Sequence, residues 1–320
     1  MKMVKIAVMG CAAVAQNSML PAIRMVPEWD LVAVASRTGQ KAQQFARQFD
    51  CEAVTGYATL LNRQDIDAIY MPLPTGLHHE WIMKCLDAGK HVLAEKSIAY
   101  DYASAKQMVE LARSKHLVLM EDFMFQYHSQ HRFVFEMLRN KEIGDIRVFR
   151  ASYGFPPLPK DNFRYDDTIG GGALLDAAGY TVRAVHFILG ADFVVKAANL
   201  FYDRECGTNI YGGAFLSNEK GVSAQLGFGF DHFYQCNYEI WGNKGKITVD
   251  RAFTPKPDYS PLIIVEKQGE RQEYHMDPDN HFVGSIREFH RAIVEGDQEH
   301  HYRQVLLQSR TLEDIRSLGR

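Results

Sequence analysis

One rhythm runs through the first 122 residues: a short apolar run, then an amphipathic stretch, then another short apolar run. Candidate strands fall at 4–9, 31–36, 68–71, 91–94 and 118–120, each rich in Val, Ile, Leu or Ala. Helical periodicity fills 40–49, 77–88 and 104–115 between them. Strands that read as apolar throughout are buried on both faces, and strands alternating with helices build a parallel sheet. The first 122 residues are therefore expected to form a doubly wound α/β domain.

After residue 122 the texture changes. A helical stretch at 130–140 leads to a strand at 146–155 and a proline-rich loop, and a second apolar helix follows Gly170-Gly171-Gly172. Alternating patterns at 194–202, 211–216, 222–230, 236–241, 246–249 and 262–266, joined by short turns, predict a mainly antiparallel open sheet. Phe228, Phe230 and Phe233 are expected to pack against it. Helical periodicity returns at 282–294 and 304–318. The expectation is two domains, 1–122 and 123–320, the second α+β, with ligand in the crevice they share.

Composition narrows the function. Lys and Arg total 36 against 39 Asp and Glu, a formal net charge of −3, which argues against a nucleic-acid binder. No run of ~18 apolar residues suggests a membrane span. Five cysteines, odd in number and without a C-x-x-C pair, point to reduced thiols and a cytoplasmic setting. His78-His79 and His300-His301 lack the spacing of a catalytic metal site, so none is expected.

The first strand runs into Gly10-Cys11-Ala12-Ala13-Val14-Ala15, a G-x-G-x-x-G variant with alanine at its second and third glycine positions. Small residues suit a loop whose N–H groups approach a pyrophosphate, although the β-carbon of Ala12 narrows that approach. About twenty residues on, where an acid normally takes the ribose 2′-hydroxyl, stand Ser36 and Arg37. A hydroxyl beside a guanidinium suits a 2′-phosphate, favouring NADP(H) over NAD.

Two further segments, Met71-Pro72-Leu73-Pro74-Thr75 with His78, and Ala88-Gly89-Lys90-His91-Val92-Leu93-Ala94-Glu95-Lys96-Ser97, carry a resemblance. The chain resembles the Gfo/Idh/MocA oxidoreductases, whose A-G-K-H-V-x-x-E-K-P signature it matches except at the final proline. Glu121-Asp122-Phe123-Met124-Phe125 with His128, Gln130 and His131, then 170–176 and 251–255, are most similar to the nucleotide-sugar 3-ketoreductases. The resemblance implies that Lys96 contacts the nicotinamide ribose and the reacting oxygen; Glu95 beside it either orients the ammonium or simply pairs with it. It places Pro72, Leu73, Pro74, His78, Asp122 and Arg164 around the cofactor, Asp122 standing where these enzymes often have Asn. Because a cis peptide outside proline costs about 2.5–4 kcal/mol, the Lys96–Ser97 bond is expected to be trans.

The second apolar helix is interrupted at Asp176 and Tyr180, four residues apart on one face. Burying a carboxylate and a phenol needs partners; one reading is catalytic, the other a core Tyr–Asp pair. The resemblance implies that Tyr180 protonates the alkoxide, and a phenol of reference pKa ~10 is a donor at neutral pH. His128, Tyr234 and Arg251 are candidates for binding the sugar or its diphosphate.

Together these imply an NADPH-dependent reductase of a keto sugar, the C3 carbonyl of a dTDP-linked 6-deoxyhexose foremost. The alternatives are an NADP-dependent dehydrogenase of a free sugar or trans-dihydrodiol, and a non-catalytic NADP-sensing protein. A homodimer or homotetramer through the second sheet is expected.

Overall fold

The computed structural model describes residues 3–319. They form two compact units, one of residues up to Asp122 with Phe282–Ser309, the other of Phe123–His281 with the chain from Arg310 on.

In the first unit six parallel strands, β1 (Val4–Met9), β2 (Trp29–Ser36), β3 (Glu52–Thr55), β4 (Ala68–Met71), β5 (His91–Glu95) and β6 (Leu119–Asp122), are ordered β3-β2-β1-β4-β5-β6. The apolar runs become the central strands: every residue of β4 is buried. The order reverses between β1 and β4, so a crevice opens outside their carboxyl ends, where such sheets take ligands. β3 escapes the sequence pattern because it is a four-residue edge strand with one fully buried position.

The expected unbroken second domain over 123–320 does not hold, since Phe282–Ser309 joins the first unit. Long-range contacts fix it there. Trp29 stacks on Phe289 at 5.5 Å and donates its indole N–H to the Ile286 carbonyl at 3.0 Å. The Tyr302 hydroxyl donates to the Leu117 carbonyl, and Arg113 pairs with Glu299. Amphipathic periodicity marks these helices in the sequence but does not say which sheet receives their apolar faces.

The second unit holds β7 (Ile146–Gly154), β8 (Val194–Tyr202), β9 (Asn209–Ser217), β10 (Ser223–Gly229), β11 (Gln235–Gly242), β12 (Gly245–Val249), β13 (Leu262–Lys267) and β14 (Glu270–His275), ordered β14-β13-β12-β11-β7-β10-β9-β8. Neighbours are antiparallel except β7 and β10, which run parallel. β14 has no buried residue and hence no apolar signal. One face carries buried Phe149, Leu226, Phe228, Tyr238 and Ile240. The other exposes Phe201, Phe215 and Trp241, with Arg150 bridging Gln225 and Glu239 across three strands. Phe233 departs from expectation: it is 85% exposed, in the turn after β10 where no sheet face covers it.

Candidate active site

In the first unit the chain leaves β1 at Gly10, whose φ of 126° suits glycine. A β-carbon there would stand 2.9 Å from the Leu73 side chain, so the β1 and β4 loops touch because this residue has none. Ala12, Ala13 and Val14 lead into the helical turn, with the Gln16 N–H on the Ala12 carbonyl at 3.1 Å. Ser36 is buried, its hydroxyl 3.4 Å from the Thr38 N–H, whereas Arg37 is exposed at the mouth of the next helix. Burial pushes the Tyr57 phenol up, and the nearby Arg37 charge pulls it back.

Across the sheet, Pro72 and Leu73 are buried and Pro74 is half-buried. His78 is wholly buried, one ring nitrogen 2.8 Å from the Leu73 carbonyl and the other 3.0 Å from that of Ser97. Burial lowers its pKa to about 4 despite those carbonyls. Its side chain is thus a brace between two loops. The Lys96–Ser97 peptide is cis, not trans as expected. Neighbouring contacts define this loop: Ser97 is held by His78, and the Ile98 N–H donates to Glu121 at 2.9 Å. Lys96, half-buried, therefore leaves the end of β5 on a loop anchored from both sides. Glu95 accepts from the Tyr70 hydroxyl at 2.8 Å.

Asp122, paired in register with Glu95, is fully enclosed and accepts from the Ser285 hydroxyl at 2.5 Å. Burial first, then the neighbouring carboxyls of Glu95 and Glu121, raises its pKa well above the usual carboxylate range. The signature lysine Lys90 is structural: its ammonium donates to the Arg63 and Ile66 carbonyls at 2.8 and 2.7 Å.

In the second unit the predicted helix is two segments, Ala173–Asp176 and Ala178–Leu189. The turn before them needs glycine, since a β-carbon on Gly171 would lie 2.6 Å from the carbonyl oxygens of Arg164 and Asp166. The Gly172 N–H donates to the Arg164 carbonyl at 2.8 Å, and Arg164 returns to Asp176, Nε to Oδ2, at 2.8 Å. Asp176 is therefore ion-paired on the glycine turn that carries it.

Tyr180, 5% exposed, is ringed by Tyr153 at 4.6 Å, Phe123 at 5.6 Å and Phe253 at 5.9 Å between centroids. This aromatic cage escaped the sequence reading. Tyr153 in particular stands in an ordinary strand with no local signal, and only its place on β7 brings it to Tyr180. Burial drives the Tyr153 phenol well up.

Of the substrate candidates, Arg251 lies over the Tyr234 ring at 4.4 Å, and Tyr234 meets the Thr254 hydroxyl at 3.3 Å. His128 is buried and caps the helix Ser129–Arg139 through Nδ1 on the Gln130 N–H. A separate cavity of about 480 Å³ is lined by Pro157, Lys160, Tyr165, Glu205, Cys206 and Phe230, among others.

Comparison with known proteins agrees with this geometry. Residues 4–123 match the oxidoreductase family with an NAD-binding Rossmann fold, and residues 131–248 match the GFO/IDH/MocA C-terminal domain. The chain is 45% identical over 296 residues to a dTDP-3,4-didehydro-2,6-dideoxy-alpha-D-glucose 3-reductase of Saccharopolyspora spinosa, covering 92% of this chain and 89% of that one. It is 41% identical over 316 residues to the enzyme of the same name from Actinomadura kijaniata, covering 99% and 95%. A 3-ketoreductase from Actinomadura kijaniata, crystallised with NADP and TDP-benzene, superposes with a TM-score of 0.97 at 40% identity, over 100% of this chain and 98% of that one. With both domains matched and nearly the whole chain aligned, this protein belongs to the Gfo/Idh/MocA family of oxidoreductases.

Proposed function

We propose that this chain is an NADPH-dependent reductase of the C3 carbonyl of a dTDP-linked 6-deoxyhexose. The observation that carries the reading is its likeness, across nearly its full length, to 3-reductases of that substrate class and to a structure crystallised with NADP and a TDP ligand.

The first unit suits the dinucleotide. Gly10 keeps the loop open at the switch point, Ala12 to Val14 begin a helical turn whose N–H groups favour a pyrophosphate, and Arg37 offers its guanidinium to a 2′-phosphate. When bound, NADPH supplies the reducing equivalent. Lys96 places an ammonium where negative charge grows on the carbonyl oxygen. The Tyr180 hydroxyl gives that oxygen its proton and recovers one from solvent. Asp176, paired with Arg164, steadies the turn ahead of Tyr180. Arg251 on Tyr234 is offered to the sugar diphosphate. Among the described residues no helix is long and apolar enough to cross a membrane. The exposed face with Phe201, Phe215 and Trp241 supports self-association through the second sheet.

The test is NADPH consumption by the purified protein on dTDP-3-keto-deoxyhexoses, free aldoses and trans-dihydrodiols in parallel. Turnover confined to the dTDP sugars is expected. Preference for free sugars or diols overturns the substrate, and tight NADPH binding with no turnover on any of them overturns catalysis.

A further inference from the structure

The return segment of the first unit carries a cluster that the reductase chemistry leaves unused. Helix His281–Glu295 presents Glu288, and helix Glu299–Leu318 opens with His300 and His301. Both imidazoles turn toward one carboxylate oxygen: Nε2 of His300 lies 3.4 Å from Glu288 Oε1, and Nε2 of His301 lies 3.2 Å from it. The two rings are 3.7 Å apart between centroids. The His301 side chain is 1% exposed, yet its Nε2 makes no hydrogen bond. It sits close to Oε1 but off the line that a hydrogen bond needs. On the far side of the other ring, His300 Nδ1 is 3.4 Å from Asp297 Oδ1.

We propose that Glu288, His300 and His301 bind a divalent transition-metal ion of the zinc class, which fastens the two helices together. The three donor atoms lie within 4.8 Å of one another. Bonds of ~2.0–2.1 Å in a tetrahedral site space neighbouring ligand atoms about 3.3 Å apart, the separation already found from Oε1 to each imidazole. Two nitrogens and one oxygen select zinc or cobalt over magnesium or calcium, which take all-oxygen sets. Asp297 behind His300 supplies the carboxylate that commonly orients a ligating imidazole. An ion would also give the buried His301 nitrogen the direct bond that its approach to Oε1 does not make.

One contact opposes the ion. Arg291 forks onto Glu288, with Nη2 on Oε1 and Nε on Oε2, each at 2.8 Å. It also reaches Glu295 and Asp297 at 2.6 and 2.9 Å. The guanidinium therefore competes for Oε1, can retain Oε2 and Glu295 when the ion enters, and weakens its binding. The sequence hides this site because Glu288 comes from a different helix, and only the turn between the two helices brings it to the histidine pair.

The test uses the untagged, chelator-treated full chain, titrated with Co²⁺ by visible absorbance and with Zn²⁺ by calorimetry. One equivalent per chain is expected, with tetrahedral cobalt bands. His301→Ala and Glu288→Gln should each weaken binding by at least about tenfold, with reductase turnover unchanged. Arg291→Gln should tighten it several-fold, which a cluster that is only an ion-pair network would not do. His301→Asn provides a second variant should the alanine protein melt early. Absence of saturable binding, or binding that both His301 variants leave untouched, overturns the proposal.

Discussion

The two units hold their polar side chains in different ways. In the first, several buried polar groups face backbone: His78 sits between the Leu73 and Ser97 carbonyls, Glu121 accepts from the Ile98 N–H and Lys90 donates to the Arg63 and Ile66 carbonyls, while Asp122 meets the Ser285 hydroxyl. In the second, the groups around Tyr180 meet other side chains as well as backbone: Asp176 pairs with Arg164, His131 lies between the Tyr238 hydroxyl and the Ala252 carbonyl, and the Tyr180 ring packs on Tyr153 and Phe253. Backbone partners fix the shape of a loop whatever the neighbouring side chains are. Side-chain partners make a site whose polarity and shape change with single substitutions. The first arrangement suits the proposed dinucleotide site, and the second suits the proposed substrate side.

The largest effects should come from Tyr180 and Lys96, the two groups proposed to act on the carbonyl, and should differ in kind. Tyr180→Phe keeps the ring in its cage and removes only the hydroxyl, so kcat should fall about 10²–10⁴-fold with NADPH binding unchanged. Lys96→Ala should lower kcat about 10²–10³-fold and also raise the KM for NADPH, because its loop belongs to the dinucleotide side. Steady-state rates with fluorescence titration of NADPH separate the two patterns. Full turnover by Tyr180→Phe would remove the second unit's part in the chemistry.

Acid sensitivity is the next contrast. Burial lowers His78 to about 4, and lowers His131 and His281 each to about 3. A histidine whose folded pKa is depressed binds more protons unfolded than folded. Its stabilising contribution is complete above about 6.5 and is lost as pH falls toward the folded value. The His78 window, from 6.5 down to about 4, corresponds to roughly 3 kcal/mol. The His131 window is longer, and the second unit has three histidines held down by burial, His128, His131 and His281, against His78 and His301 in the first, so it should loosen first on acidification. Hydrogen exchange at pH 7 and 4.5 checks this, with His131→Gln expected to flatten the dependence. Equal loss of protection in both units would break the contrast.

The same difference explains what the sequence disclosed. Features made locally were legible: the apolar strands, Gly10 at the end of β1, Ser36-Arg37 at the end of β2, Lys96 after β5. Asp176 and Tyr180 were legible as polar interruptions of an apolar helix, but their surroundings were not. Tyr153, Phe253 and Arg164 reach them only through the register of β7 and two loops, which no local pattern encodes. The return of Phe282–Ser309 to the first unit was hidden for the same reason, since it depends on pairs such as Trp29 with Phe289. The geometry of the Lys96–Ser97 peptide was misread because intrinsic cost was weighed without the His78 and Glu121 contacts on either side.

Arg37 offers the smallest effect and the finest test of the comparison, because it is the one dinucleotide candidate of the first unit that would work through an exposed side chain. Solvent screens its charge, so a contact to a 2′-phosphate should be worth about 1.5–2 kcal/mol. Arg37→Gln should then raise the KM for NADPH roughly 10–30-fold, leave kcat at saturation unchanged, and leave the KM for NADH where it was. The NADPH effect should shrink as salt is added, since the lost contact is between exposed charges. If both KM values stay put, the cofactor is held without Arg37, and Ser36 is left as the sequence's only mark of NADPH preference. Its hydroxyl is buried beside the Thr38 N–H, so the choice between the two dinucleotides would then rest on a side chain held, like His78 and Lys90, against backbone.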